Sequence, residues 1–283
     1  MRSVSFSTAG VLAAALLASA CTTAPKPPTT MAEVGELRAG SGYVNGYLTR
    51  ADMADSLALV PPPPAEKSAR LADDVEAYRA LTALRNGPRG AQAAKDAVLK
   101  FPAAADHFAC ALGVQISEQN TPHLNMLLRR TLADAGGATY KAKDKYQRAR
   151  PFMVFNEPTC TPGEEAHLRK DGSYPSGHSA LGWAWALVLT QVAPERTDAL
   201  AQRGRAYAQS RGVCGVHWKS DIEAGRFVGS AAVARLQSNA VFQAQLAEAK
   251  KEVAKARAAG WVPPGPTCAA EAAALGLSTQ LAP

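Results

Sequence analysis

Residues 179–192 form a run of fourteen positions without a charged side chain, and it carries Trp183 and Trp185. A segment that apolar has to be covered on every side. It is too short to span a membrane, which takes about 20 apolar residues. It therefore predicts a buried central helix, and the rest of the chain has to fold around it.

Helices can supply that cover. Alanine is abundant and runs of β-branched residues are few. Apolar residues recur at helical spacing over 65–86, at Leu71, Val75, Tyr78, Leu81 and Leu84, and Asn86-Gly87-Pro88 closes the pattern. Similar spacing predicts helices over 89–99, 103–116, 121–135, 138–150, 197–210, 217–236 and 240–259. Phe101-Pro102, Gly136-Gly137 and Pro151 read as breaks, and Thr197-Asp198 as a capping pair. Small residues at Ala224, Gly225, Gly229, Ser230 and Ala231 allow a second helix to come close. The fold class is thus all-α, a single-domain helical bundle over 42–260. No internal repeat and no interdomain linker appears. The four prolines at 61–64 read as an extended surface segment, and 261–283 as a Pro/Gly tail. Residues 152–173 are polar and irregular, placed to shape access to a pocket.

Three stretches concentrate chemistry around the apolar run. They are Lys143 through Arg150-Pro151, then Tyr174-Pro175-Ser176-Gly177-His178, then Ser210-Arg211 through His217 to Asp221. Seven residues separate Lys143 from Arg150, so one helix would hold both on one face, two turns apart. Pro175-Ser176-Gly177 reads as a turn into a helix start, whose free N–H groups favour an anion. His217 and Asp221 are one helical turn apart, a spacing that lets the carboxylate fix the imidazole. Together these side chains are suited to holding a tetrahedral oxyanion and attacking it. His107, His123 and His167 read instead as solvated and non-catalytic.

In order, these stretches read Lys-X6-Arg-Pro, Pro-Ser-Gly-His and Ser-Arg-X5-His-X3-Asp. The pattern resembles the signature of the type-2 phosphatidic-acid-phosphatase (PAP2) superfamily, which includes bacterial class A non-specific acid phosphatases, lipid phosphatases and vanadium haloperoxidases. The run from Asp55 to Pro64 and the segment Leu84-Arg85-Asn86 through Arg89-Gly90 also look like the class A acid phosphatases. The resemblance covers roughly 42–260.

It implies a metal-independent phosphatase, with no cofactor, acting on a broad range of phosphomonoesters. Lys143, Arg150, Ser176, Gly177 and Arg211 would bind phosphate, the arginines by two-pronged contact and the lysine as a point charge. His217 would attack phosphorus and form a phosphohistidine. Asp221 would hold its other ring nitrogen, and His178 would serve as general acid and then base. Family members are commonly oligomeric, often dimers, so a homo-oligomer is expected. The same constellation can hold vanadate, which leaves a vanadium-dependent haloperoxidase as the alternative, and lipid-phosphate or pyrophosphate hydrolysis as alternative substrate choices.

The amino terminus reads as an export signal over 1–20, with Arg2 before a short apolar stretch and Ala18-Ser19-Ala20 as a cleavage site. Cys21 follows directly, which is the position for lipidation, and residues 21–41 read as a flexible tether. The expected location is periplasmic, either soluble or lipid-anchored. Cys110, Cys160, Cys214 and Cys268 remain, an even set that suits disulfides in an exported chain, with three pairings open. No Cys-X2-Cys or His-Glu-X2-His cluster suggests zinc. The formal charge of +7 comes without aromatic-basic interleaving or a nucleic-acid module, so small phosphorylated substrates are the expected partners.

Overall fold

The computed structural model describes residues 26–276. The signal segment, Cys21 and residues 277–283 lie outside that range. Apart from an isolated antiparallel bridge between Glu36 and Val44, the elements among the described residues are helical. They run α1 (Met31–Val34), α2 (Ser56–Leu59), α3 (Ala69–Thr82), α4 (Pro88–Asp96), α5 (Ala109–Leu112), α6 (Pro122–Gly137) and α7 (Tyr140–Tyr146). Then follow α8 (Pro151–Phe155), α9 (Glu165–Leu168), α10 (Gly177–Val192), α11 (Thr197–Val213), α12 (Lys219–Leu236), α13 (Ala240–Ala258) and α14 (Gly265–Gly276). No helix among them is long and apolar enough to cross a membrane.

The apolar run is α10, and it is central as its composition requires. It packs against α6, α11 and α12, while α13 lies along α6 and α3 and α4 lie along α11. Trp185 is fully buried, with Phe101, Phe108 and Tyr207 edge-on around its ring. Its indole N–H donates to the Leu128 carbonyl at 2.8 Å, so the one polar atom of the ring is satisfied. The small residues of α12 bring it onto the start of α10. A Cβ at Gly225 would lie 2.4 Å from the Ser176 carbonyl oxygen, and one at Gly229 would lie 2.3 Å from that of Ala180. Either methyl would push α12 away from the helix start that it supports.

Local sequence misleads at several points. The segment 103–116 is not one α-helix: a 3-10 turn over Ala103–Phe108 leads into α5, which Gly113 ends in left-handed geometry at φ 74°. Gly136 and Gly137 do not stop α6 but form its last turn. Thr197 does not cap α11: a 3-10 turn over Pro194–Arg196 precedes that helix, and the Thr197 hydroxyl donates back to the Pro194 carbonyl. Regular structure begins inside the expected tether, where Thr30 and Glu33 form a reciprocal cap on α1. The Pro/Gly tail contains a further helix, α14, tied down by a Cys110–Cys268 disulfide. The second disulfide is Cys160–Cys214, so one of the three possible pairings is selected.

Candidate active site

The three sequence stretches meet where the N-termini of α10 and α12 face each other. Ser176 is the N-cap of α10, and its hydroxyl oxygen accepts from the Ser179 backbone N–H at 3.3 Å and the Ser179 hydroxyl at 2.9 Å. The Ser176 hydroxyl proton is left to donate elsewhere. The Ser176 N–H donates to the Asp221 carbonyl at 2.9 Å, which joins the two helix starts. Gly177 is the first residue of α10, and a Cβ there would come within 3.9 Å of Lys143 Cε. The ammonium-bearing side chain thus lies over the same helix start.

His217 and Asp221 do not share a helix turn as an ordinary side-chain pair. Asp221 is the third residue of α12, and His217 precedes the N-cap, Trp218. One Asp221 oxygen, Oδ2, accepts from the Trp218 backbone N–H at 2.9 Å and from His217 Nδ1 at 3.2 Å. The carboxylate therefore caps the helix and holds the imidazole at once. Arg150 Nη1 lies 3.0 Å from His217 Nε2. Guanidinium nitrogens only donate, so Nε2 must accept, and the ring proton sits on Nδ1 facing Asp221. The Nε2 lone pair is directed into the cationic cluster.

Lys143 and Arg150 are brought together, though not by the expected single helix. Gln147 ends α7 in left-handed geometry at φ 43°. Arg150 is extended, as the residue before a proline should be, and Pro151 starts α8 rather than only ending α7. What unites the two cations is Asp171: its Oδ2 lies 3.0 Å from Lys143 Nζ and 2.9 Å from Arg150 Nη2. Arg150 also donates to the carbonyls of Leu168 at 2.9 Å and Val216 at 3.0 Å. Burial, with the Arg150 charge beside it, pulls the Lys143 ammonium down to about 8.

Arg211, near the end of α11, differs from both. It is fully buried, none of its guanidinium nitrogens has a hydrogen-bond acceptor, and its ion-pair partner is Glu164 at 3.7 Å. The Cys160–Cys214 bridge ties the loop that carries Glu164 to the turn after α11. Its neighbour Ser210 turns away, donating to Asp96 at 2.5 Å.

His178 donates from Nε2 to the Ala97 carbonyl at 3.0 Å, which leaves Nδ1 as its titrating atom. Burial pushes both His178 and His217 well below the usual imidazole range. The Arg211 charge adds most to this at His178, and the Arg150 charge at His217. The remaining histidines stand outside the cluster. His167 is exposed on α9. His107 and His123 are not solvated as expected but buried, bonded to the Val98 carbonyl and to Gln245 respectively.

Sequence reasoning missed the carboxylates. Asp171 and Glu164 lie in the loop expected at a pocket mouth, yet no spacing rule singles them out. Arg148 lies within the first stretch itself, and its spacing gives it no role there. No group of three or more His, Cys, Asp or Glu side chains among the described residues converges as a metal site.

The model of the PAP2 superfamily matches residues 124–243. The chain is 48% identical over 210 residues to a non-specific acid phosphatase of Providencia stuartii, covering 74% of this chain and 85% of that one. Identity is 45% over 195 residues to a non-specific acid phosphatase of Salmonella typhi, covering 69% and 78%. It is 35% over 221 residues to an acid phosphatase of Zymomonas mobilis, covering 78% and 84%. With that coverage and the ordered motifs gathered at one pair of helix starts, this chain belongs to the PAP2 superfamily, on the branch that holds the bacterial non-specific acid phosphatases.

Proposed function

We propose that the chain is an exported acid phosphatase that hydrolyses phosphomonoesters through a phosphohistidine, without a metal ion. The observation that carries this reading is Arg211, a buried guanidinium without a hydrogen-bond acceptor and within electrostatic reach of both histidines. A buried cation is costly unless an anion matches it, and a phosphoryl group supplies three oxygens for such donors. The relatives carry the name acid phosphatase, which supports the class of reaction.

Lys143, Arg150, Arg211, the Ser176 hydroxyl and the Gly177 N–H would surround the phosphoryl oxygens. His217 Nε2 then attacks phosphorus in line while the ester oxygen leaves with a proton from His178 Nδ1. Asp221 stabilises the cationic imidazole through Nδ1–H. In the second step His178 takes a proton from water, the water oxygen attacks phosphorus, and the P–N bond breaks to return neutral His217 and inorganic phosphate. The protein's own cations hold the charge, which is the support for metal independence.

The histidine shifts set the pH dependence. A lowered His217 stays neutral, and so nucleophilic, further into acid. A lowered His178 gives up the proton it must donate at lower pH than a free imidazole does. Both limbs of the rate profile therefore move to the acid side, giving a bell with its maximum below neutrality. Hydrolysis of p-nitrophenyl phosphate in excess EDTA, from acid to alkaline pH, tests this beside His217→Ala. The expected result is an acid maximum that the variant loses and a covalent phosphate trapped on wild type only. Activity that requires a divalent ion, or that survives loss of His217, would refute the mechanism. Cleavage after Ala20 and lipidation at Cys21 belong to the same proposal, and the intact mass of the membrane-fraction protein decides them: a mature mass without acyl chains would remove the anchor.

A further inference from the structure

Behind His217, on the side away from Lys143 and Arg150, lies a charged cluster that the catalytic scheme does not use. Arg148 Nη1 lies 2.6 Å from Asp221 Oδ1, and its Nη2 lies 2.7 Å from Asp74 Oδ2. Nη1 also donates to the Ser220 hydroxyl at 2.8 Å. Asp74 sits on α3, is 1% exposed, and accepts in turn from the Ser220 backbone N–H at 2.7 Å and the Ser220 hydroxyl at 2.6 Å. The guanidinium stacks over the Trp218 ring, 5.2 Å from its centroid. The two Asp221 oxygens are thus divided between two sets of partners. Oδ2 faces His217 and the helix start, and Oδ1 faces Arg148.

We propose that Arg148 is a positioning residue for the proposed phosphotransfer, clamped from behind by Asp74, and that it fixes the Asp221 carboxylate so that His217 Nε2 stays aimed at phosphorus.

Two physical points support this. The first is geometric. A carboxylate held only by His217 and one backbone N–H can rotate about its Cβ–Cγ bond, whereas a guanidinium fork pinned at both prongs removes that freedom. The second is charge. With His217 neutral, the Asp74–Arg148–Asp221 cluster carries one net negative charge. When His217 becomes cationic, as it does on bonding to phosphorus, the cluster is balanced. Without Arg148 the Asp221 carboxylate would lose the guanidinium that pairs with it. Lys143, Arg150, Arg211 and His178 face His217 from the other side, so the balance on the Asp221 side depends on Asp74 and Arg148. Burial raises the Asp221 carboxyl and Arg148 opposes that rise. Asp74 precedes the segment 124–243 that the family model matches, so an amino-terminal helix would reach the catalytic histidine through one arginine.

The proposal rests on the phosphohistidine reading, and the experiment separates the two. Wild type, His217→Ala, Arg148→Gln, Arg148→Lys and the isosteric Asp74→Asn are compared in steady-state hydrolysis of p-nitrophenyl phosphate across pH, alongside thermal melts. Arg148→Gln is expected to lose about 100-fold in kcat with KM changed by less than about threefold, because it makes no contact with phosphate. Its acid limb should move up by about one pH unit or more, since an unopposed Asp221 protonates at higher pH. Arg148→Lys should restore much of the limb, by charge, but little of kcat, for want of the fork. Asp74→Asn should lower kcat without raising KM, and it serves if Arg148→Gln does not fold. An inactive wild type would sink the phosphatase reading itself. An active wild type, with folded variants that melt lower but keep its kcat and pH profile, would overturn the positioning role.

Discussion

Arg203 and Arg211 sit on the same helix, eight residues apart, and both are buried. Their surroundings are opposite. Arg203 makes a two-pronged pair with Asp96, at 2.5 and 3.3 Å, and Glu271 of α14 lies 3.4 Å from its Nε. Arg211 has a single carboxylate at 3.7 Å and no hydrogen-bond acceptor. A guanidinium matched by carboxylates is part of the scaffold. One left short of acceptors in the interior is the group that the proposed function assigns to the phosphoryl oxygens. Lys143 stands between the two, because its partner Asp171 is one-fifth exposed and can be displaced.

Removing each cation by mutation separates the two kinds of buried arginine. The largest effect is expected for Arg211→Ala, which should lower kcat/KM by about 10³-fold, the scale of a lost transition-state donor. Its melting temperature should hold or rise, because an imperfectly matched buried charge is removed. A large fall in stability would place Arg211 in the scaffold with Arg203. Arg203→Met keeps the volume but takes the guanidinium from Asp96, leaving it the hydrogen bonds of Ser210 and Gln92. Breaking a buried pair on one side costs about 3–5 kcal/mol, so denaturant unfolding should show that loss while kcat/KM per folded molecule changes far less than in Arg211→Ala.

Inorganic phosphate sharpens the distinction. At 100 times its dissociation constant a ligand adds about 2.7 kcal/mol to stability. A thermal shift of that origin is expected for wild type and Arg203→Met, and should vanish in Arg211→Ala. The smallest effect concerns Lys143. Its ammonium is pulled to about 8, so it loses charge, and with it attraction for phosphate, as pH rises through that value. KM should climb modestly above pH 8 in wild type, and Lys143→Met should flatten that climb. A wild-type KM that stays level to pH 9 would show that Lys143 does not bind phosphate.

Much of the fold was legible because the cause was local. The apolar run became α10, and the glycines of α12 did allow close helix contact. The helix breaks were less legible. Gln147 has no sequence mark of a left-handed residue, yet it splits the expected 138–150 helix and sets Arg150 at the start of α8. Gly136-Gly137 carries a stop signal, yet α6 runs through both. In the site, the motif residues do converge, but the arrangement behind them came from elsewhere. Arg148 was visible in the first stretch and unremarkable there, since its meaning depends on Asp74 and Asp221, each more than seventy residues away.

Side-chain types and short separations were enough for the all-α class, the central helix and the chemical character of the cluster. Each of these follows from side-chain type and from separations within a turn or two, where backbone geometry leaves few choices. Which carboxylate meets which cation, and which cysteines join, is set by contacts between distant parts of the chain. Asp74 reaches Ser220 across 146 residues, and the disulfides close separations of 158 and 54 residues at Cα distances of 5.4 and 4.7 Å. Contacts over such separations depend on how whole helices pack, and no local pattern specifies that.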